Sequence, residues 1–240
     1  MPNGPQVSVI LPTYNERDSL ERLYPALADA VREFSTELVV VDDGSPDGTA
    51  AYARSLQDPL PTRVLERPGK RGLASAVQAG FASATGEVLV VMDADGSHPA
   101  STVPVLVRAV RSGEAEFALG SRWVRGGSAP GLSRGRRVVS AGAAVLARPL
   151  VRVHDPMSGF FAFRRAILAR GQLTPIGYKI GLEILVKCRP EPVVEVPIVF
   201  RPRVAGRSKL GSGEVGKYAL HLVRLYGWRL FGSRRASSTR

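Results

Sequence analysis

Two carboxylates, Asp93 and Asp95, stand either side of Ala94 directly after the apolar run Val88–Met92. At that spacing they repel each other unless a cation lies between them. A hard divalent ion, Mg2+ or Mn2+, meets the need, because it is held by one or two carboxylates and completed by the phosphate oxygens of a substrate. The plainer alternative is that Asp95 caps the following turn and Asp93 is solvated. His98, close behind, reads either as a packed loop residue ahead of Pro99 or as a neighbour of the metal. Two more polar clusters follow apolar runs, Pro12-Thr13-Tyr14-Asn15-Glu16 and Asp42-Asp43-Gly44-Ser45. Each alone is ordinary turn chemistry. Three at strand ends point to one ligand site, since an open parallel sheet binds ligands beyond the carboxyl ends of its strands. Gly69-Lys70-Arg71-Gly72-Leu73-Ala74 precedes a helical pattern, where backbone N–H groups suit phosphate or ribose oxygens. It lacks the Gly-Lys-Ser/Thr half of a P-loop.

The elements that would position these clusters alternate along the first half. Short β-branched apolar runs predict strands at 7–11, 38–41, 63–65, 88–92 and 117–119. Helical spacing predicts helices at 17–34, with Asn15 as its cap, and at 49–56, 74–84 and 102–110. This alternation implies an α/β domain with a mostly parallel sheet covered on both faces. After Gly120 the pattern loosens. Residues 122–135, rich in Gly, Ser, Pro and Arg, are expected to form a flexible loop. Helices are expected at 137–151 and 180–187, strands at 160–163 and 193–200, and a second basic loop at 201–213. The expected division is a catalytic domain over 1–213, an amphipathic C-terminal helix over 214–231 and a disordered basic tail over 232–240. The stripe Val215, Tyr218, Ala219, Leu222, Val223, Tyr226 and Leu230 suits either core packing or a membrane interface.

The 240 residues carry 33 Lys and Arg against 21 Asp and Glu, a net charge of +12. The charge is uneven: residues 1–120 hold 10 basic and 16 acidic side chains, and residues 121–240 hold 23 and 5. A basic second half calls for an anionic partner: nucleic acid, a phosphorylated small molecule or an anionic membrane surface. No apolar run approaches the about 18–20 residues that span a bilayer. The polar N-terminus does not read as a signal peptide. The single cysteine, Cys188, excludes an intrachain disulfide and a Cys-rich zinc site, so a reducing, cytoplasmic location is expected. A nucleic-acid-binding module fits the pI, but the sequence shows no zinc-finger spacing and no aromatic-interleaved basic strand, and no nucleic-acid partner is expected.

The motifs Pro12-Thr13-Tyr14-Asn15-Glu16, Val41-Asp42-Asp43-Gly44-Ser45-Pro46-Asp47-Gly48-Thr49, Met92-Asp93-Ala94-Asp95-Gly96-Ser97-His98-Pro99 and Gly120-Ser121-Arg122 resemble those of family 2 glycosyltransferases of the GT-A fold. The second half resembles the dolichol-phosphate (polyprenol-phosphate) mannose synthases of that family. The motifs there are Arg136-Arg137-Val138-Val139-Ser140, Asp155-Pro156-Met157-Ser158-Gly159-Phe160-Phe161, Gly177-Tyr178-Lys179, and Arg203 followed by Gly206, Ser208, Lys209 and Leu210. The resemblance covers about residues 7–212.

That resemblance implies a Rossmann-like GT-A domain and carries roles position by position. Pro12, Tyr14, Glu16, Val41 and Asp43 would hold the nucleoside. Asp93 and Asp95 would ligate Mg2+ or Mn2+, with Ala94 against the sugar nucleotide. Ser97 stands where some relatives place a longer polar ligand. Arg122, Arg203 and Lys209 would contact the donor diphosphate or the acceptor phosphate, and Arg136, Ser140 and Lys179 would line the acceptor-phosphate pocket. Asp95, Arg122 and Lys179 are the expected catalytic residues. The implied reaction transfers mannose from GDP-mannose to polyprenyl (dolichyl) phosphate with inversion. The same chemistry with UDP-glucose is the chief alternative. Two anionic reactants meet, so basic loops supply the compensating charge. The acceptor phosphate is already ionised near pH 7 and needs no general base. A lipid acceptor implies peripheral association with the cytoplasmic face of a membrane, directly or through a separate anchor subunit.

Overall fold

Runs of Val, Ile and Leu without polar alternation belong to strands buried on both faces, and the sheet is built from them. The computed structural model describes residues 4–69, 72–130, 132–174, 176–202 and 212–232. Strands β1 (Val7–Thr13), β2 (Thr36–Asp42), β3 (Thr62–Glu66), β4 (Val88–Val91), β5 (Phe117–Ser121), β6 (Phe161–Arg164) and β7 (Val193–Pro197) form one seven-stranded sheet. Their order is β3-β2-β1-β4-β6-β5-β7. All pairs are parallel except those of β6, which runs antiparallel to β4 and β5. The chain winds from β1 outward to β2 and β3, then returns to lay β4 on the other side of β1. The β1/β4 boundary is therefore the topological switch point, where an α/β sheet opens a ligand crevice.

Helices α1 (Arg17–Val31), α2 (Thr49–Ser55), α3 (Leu73–Ser83), α4 (Val103–Arg111), α5 (Arg134–Ala147), α6 (Ile180–Lys187) and α7 (Ser212–Gly227) cover both faces. The period-2 geometry of the strands sorts their side chains. Val7, Val9, Leu11, Val90 and Phe160 pack under α1 and α4, whereas Ile10, Val39, Val41, Phe117 and Phe161 pack under α3, α5 and α6.

The expected cap of α1 is corrected. Asn15 takes a left-handed conformation (φ 58°) and Glu16 occupies the N-cap position without a side-chain cap bond. The donors are satisfied instead from the β2–α2 turn. Ser45 Oγ accepts the Asn15 N–H at 2.9 Å, Thr49 Oγ1 that of Glu16 at 3.0 Å and an Asp47 carboxylate oxygen that of Arg17 at 3.1 Å. Ser45 of the second cluster, with Asp47 and Thr49 just beyond it, thus fixes the start of a helix about thirty positions upstream. α1 ends at Val31, short of Phe34.

The expectation of a loose segment after Arg122 also changes. The Ser128 N–H donates to the Ile198 carbonyl at 2.9 Å, the Phe200 N–H donates to the Ser128 carbonyl at 2.8 Å, and Ala129 is fully buried. Residues 122–130 are therefore stitched to the chain beyond β7. The helix expected over 214–231 is α7, prolonged by a π-helical turn at Trp228–Gly232. Leu222 and Leu225 enter the core, and Val215, Leu220 and Val223 stay exposed. Residues 233–240 and most of the second basic loop, 203–211, lie outside the described residues.

Glu183 of α6 helps to fix α7. Its Oε1 accepts Lys187 Nζ at 2.6 Å and the Thr174 N–H at 2.7 Å, and His221 Nε2 of α7 lies 3.5 Å from Oε2. Burial alone would raise the Glu183 pKa, but His221, Lys187 and the Thr174 N–H together hold it down to about 2. At 3.5 Å the histidine is a contact rather than a formed bond, so Lys187 and Thr174 carry most of the effect. An unfolded glutamate titrates near 4.3. The stabilisation is therefore complete above about pH 4.5 and lost as the pH falls toward 2. Glu183→Gln is expected to remove about 3 kcal/mol at neutral pH and to flatten the acid limb of a denaturant-melt pH profile. An unchanged acid limb would contradict this.

Candidate active site

The strand-end clusters converge at the switch point. β4 delivers Asp93-Ala94-Asp95 beside the end of β1, and β2 ends on the neighbouring side with Asp42 and Asp43. Gly96 turns the chain at once (φ 77°), a conformation that favours glycine. Asp95 is 3% exposed and accepts the Ser97 N–H at 3.0 Å. Asp93 remains more open, with 28% of its side chain exposed. His98 is a packed residue: it stacks on Phe160 at 5.0 Å, and its Nδ1 accepts the Asp93 N–H at 3.0 Å. An accepting Nδ1 leaves the ring proton on Nε2. Burial lowers the His98 pKa against the opposing pull of Asp93 and Asp95, so the ring stays neutral. Beneath the pair, Ala94 and Met92 are buried in the apolar layer with Phe160.

Asp42 and Asp43 have different duties. Asp42 accepts bonds from Thr13 Oγ1 at 2.9 Å and the Ser45 N–H at 2.8 Å, tying β1 to the turn. Asp43 accepts Arg67 Nε at 2.8 Å and the Gly72 N–H at 3.1 Å, fixing the start of α3. Gly44 (φ 68°) lets this turn pass Gly69, whose N would lie 3.2 Å from an added Cβ. Pro12, Tyr14 and Glu16 line the same edge with partial exposure, and Val41 supports it from beneath, fully buried. Lys70 and Arg71 of the Gly69–Ala74 segment lie outside the described residues.

The cations arrive from the other half of the chain. Arg122 follows β5, and Asp155, fully buried, clasps it. Asp155 accepts Nε and one Nη of Arg122 at 2.7 Å each and the Arg122 N–H at 3.0 Å. The Trp123 and Phe200 rings flank the guanidinium, each centroid 5.5 Å from it. Lys179, at the N-cap of α6, donates from Nζ to the Met157 carbonyl at 2.7 Å and lies over the Tyr178 ring at 4.6 Å. Burial, then the Arg122 charge, lower its pKa to about 8, with Asp155 and Asp93 opposing. Asp93, Asp95, Arg122 and Lys179 thus share one electrostatic neighbourhood. Ser140 lies partly exposed on α5, whereas the Arg136 side chain, Arg203 and Lys209 lie outside the described residues.

The sequence reading gave no individual role to Asp155, Met157 or His98's partner Phe160. One signal was available: the second half has only five acidic residues among 23 basic ones, so a buried acid there is bound to find a cation.

Among the described residues no group of three or more His, Cys, Asp and Glu could hold a metal. The donor set is nevertheless that of an ion finished by its substrate: two strand-end carboxylates, and beside them a buried Ser97 hydroxyl that has no hydrogen-bond partner among the described residues.

An α/β sheet that sets an acidic pair at its switch point opposite clasped arginine and lysine side chains has the architecture of a GT-A glycosyltransferase. The chain belongs to glycosyl transferase family 2, whose sequence profile matches residues 8–171. It is 44% identical over 227 residues to the dolichol-phosphate mannosyltransferase of Pyrococcus furiosus, covering 93% of this chain and 64% of that protein's length. It is 39% identical to the enzyme of the same name from Mycosarcoma maydis, over 95% of this chain and 81% of that one. It is 36% identical to the undecaprenyl-phosphate mannosyltransferase of Micrococcus luteus, over 91% and 93%. The fold matches glucosyl-3-phosphoglycerate synthase of Mycobacterium tuberculosis, solved with Mn2+, UDP and glucosyl-3-phosphoglycerate, with a TM-score of 0.68 at 24% identity over 94% of this chain and 80% of that one.

Proposed function

We propose that this enzyme transfers a mannosyl group from GDP-mannose to a polyprenyl phosphate, inverting the anomeric centre. The carrying observation is that Arg122 and Lys179 are both oriented by the 155–157 segment, within electrostatic reach of the acidic turn after β4. Positive charge held in this way suits the phosphate of a second substrate. The relatives named for mannosyl transfer to dolichol phosphate and undecaprenyl phosphate support the choice of acceptor and sugar.

The donor nucleoside would lie on the β1/β2 edge, on Pro12, Tyr14, Glu16 and Val41, with Asp43 fixing its border. Asp93 and Asp95 would hold Mg2+ or Mn2+, and the ion would supply positive charge for the donor diphosphate. The Asp155 fork engages Nε and one Nη of Arg122, leaving the other Nη for a phosphate oxygen. Lys179 supplies a point charge beside it, and Ser140 on α5 would extend the same anion-binding surface; for Arg136, Arg203 and Lys209 a phosphate role rests on the family resemblance alone. The lipid phosphate is its own nucleophile, so the protein contributes orientation and charge rather than proton transfer. Attack on the face opposite the departing diphosphate inverts the anomeric carbon.

Among the described residues no helix is long and apolar enough to cross a membrane. Peripheral docking is supported by the exposed Val138, Val139, Val145 and Leu146 of α5 and Val223, Leu230 and Phe231 at the C-terminal end. The two elements are joined by Tyr218 and Tyr226, whose hydroxyls donate to the Ala143 and Leu146 carbonyls at 2.7 Å each. Apolar side chains beside Lys217, Arg224 and Arg229 suit an anionic interface.

The donor is tested by offering the protein labelled GDP-mannose, UDP-glucose and other sugar nucleotides with polyprenyl phosphate and Mn2+. Label from GDP-mannose alone is expected in the lipid extract, and transfer from UDP-glucose instead would reassign the sugar. Lys179 adds a pH signature. It is charged below about pH 8 and neutral above, so the acceptor KM is expected to rise as the pH passes about 8. A flat acceptor KM between pH 7 and 9.5 would remove Lys179 from the phosphate site.

A further inference from the structure

We propose that Glu195 is a positioning residue of the acceptor site: its carboxylate holds the turn from which both Arg122 and Lys179 take their orientation. The proposal rests on the functional reading above, in which those two cations meet phosphate. Glu195 lies in β7, in register with Leu119 of β5, the strand that runs into Arg122. One carboxylate oxygen accepts the His154 N–H at 2.7 Å and sits 2.7 Å from His154 Nδ1; the other accepts the Asp155 N–H at 3.1 Å. Both oxygens are thus spent on two consecutive residues of one turn.

That turn carries the orientation onward by two routes. The Asp155 side chain forks onto Arg122, and two residues later the Met157 carbonyl accepts Lys179 Nζ. Neither cation touches Glu195, but both lean on backbone that Glu195 anchors.

A packing role alone does not account for this side chain. Val193, Val194 and Val196 around it are apolar and pack against the two core layers. Glu195 interrupts them with a side chain only 11% exposed, placed next to a second buried carboxylate, Asp155. Among the described residues its ion-pair partner is the exposed His154, not a lysine or arginine. A buried carboxylate so placed is costly unless its hydrogen bonds are used. Their use here is to fix a turn before substrate arrives, which is preorganisation in the sense that lowers the cost of binding.

The test uses the full chain with Glu195→Ala and Glu195→Gln, the latter keeping the volume and one acceptor oxygen. Amide exchange is followed at Arg122, His154 and Asp155, together with sugar-nucleotide affinity and the acceptor KM. The expected result for Glu195→Ala is protection lost at those three amides. The acceptor KM rises about tenfold while sugar-nucleotide affinity changes by less than about threefold, and Glu195→Gln falls between. Retained protection at Arg122 and Asp155 in the Ala variant would overturn the proposal. So would protection lost throughout β5 and β7 with both affinities falling together, which is a purely structural role. If the unmutated protein moved no sugar to polyprenyl phosphate, the functional reading would fail, and exchange at the Arg122 amide would still decide what Glu195 holds.

Discussion

Asp95→Ala is expected to lower turnover by at least about a hundredfold, or ~2.7 kcal/mol of transition-state stabilisation. Asp95 is 3% exposed in the turn that follows β4, where its carboxylate accepts the Ser97 N–H. Loss of the bond to the Ser97 N–H costs about 1 kcal/mol of stability, a shift of about 2–4 °C in a chain of this size. On the proposed reading the large effect would fall on a divalent ion held by Asp93 and Asp95 and, through it, on the donor diphosphate. Titration with sugar nucleotide should accordingly show strong Mn2+ stimulation in the unmutated protein and little in the variant, and EDTA should reproduce the variant's rate. An Asp95→Ala protein that keeps metal-stimulated donor binding and turnover would show that the carboxylate only caps its turn.

The second large effect is expected at Asp155, and it is of a different kind. Asp155 is fully buried and receives three bonds from Arg122, whose own side chain is 10% exposed. Asp155→Asn keeps the shape but turns an amide NH2 toward a guanidinium and leaves a buried cation without its counter-charge. Breaking such a pair costs about 3–5 kcal/mol, so the melting temperature should drop by about 6–20 °C. Arg122 is then no longer held for phosphate, and the acceptor KM should rise by at least about tenfold in molecules that remain folded. Arg122→Lys should resemble it, because an ammonium cannot form the fork. A variant with unchanged melting temperature and acceptor KM would mean that the clasp is incidental to both fold and site.

The parts of this site that were legible in the sequence are those set by neighbours in the chain. Asp93 and Asp95 stood out because they end an unbroken apolar run, and a buried parallel strand must present its polar residues at the carboxyl edge. The sheet class followed from the same runs, but the antiparallel insertion of β6 did not. Phe161, Ala162 and Phe163 are buried on both faces, so no alternation marks direction or partner. Asn15 was read as a cap because capping was sought locally, whereas the donors of α1 are met by Ser45, Asp47 and Thr49. The ion pairs of Asp155, Glu183 and Glu195 depend on which distant segments meet, which periodicity does not encode. The ambiguous stripe on α7 resolves into two edges, Leu222 and Leu225 buried and Val215, Leu220 and Val223 exposed. The packing reading therefore describes the edge that carries Leu222 and Leu225, and the other edge is exposed.

The central claim is that the phosphate of a lipid acceptor is the group met by Arg122 and Lys179. The most direct measurement gives the full chain GDP-mannose and Mn2+ with three acceptors in parallel: polyprenyl phosphate in anionic vesicles, the corresponding polyprenol, and 3-phosphoglycerate. A mannosyl phospholipid of inverted anomeric configuration is expected from the first and no product from the other two. Efficient transfer to the polyprenol or to phosphoglycerate, with none to the lipid phosphate, would contradict it.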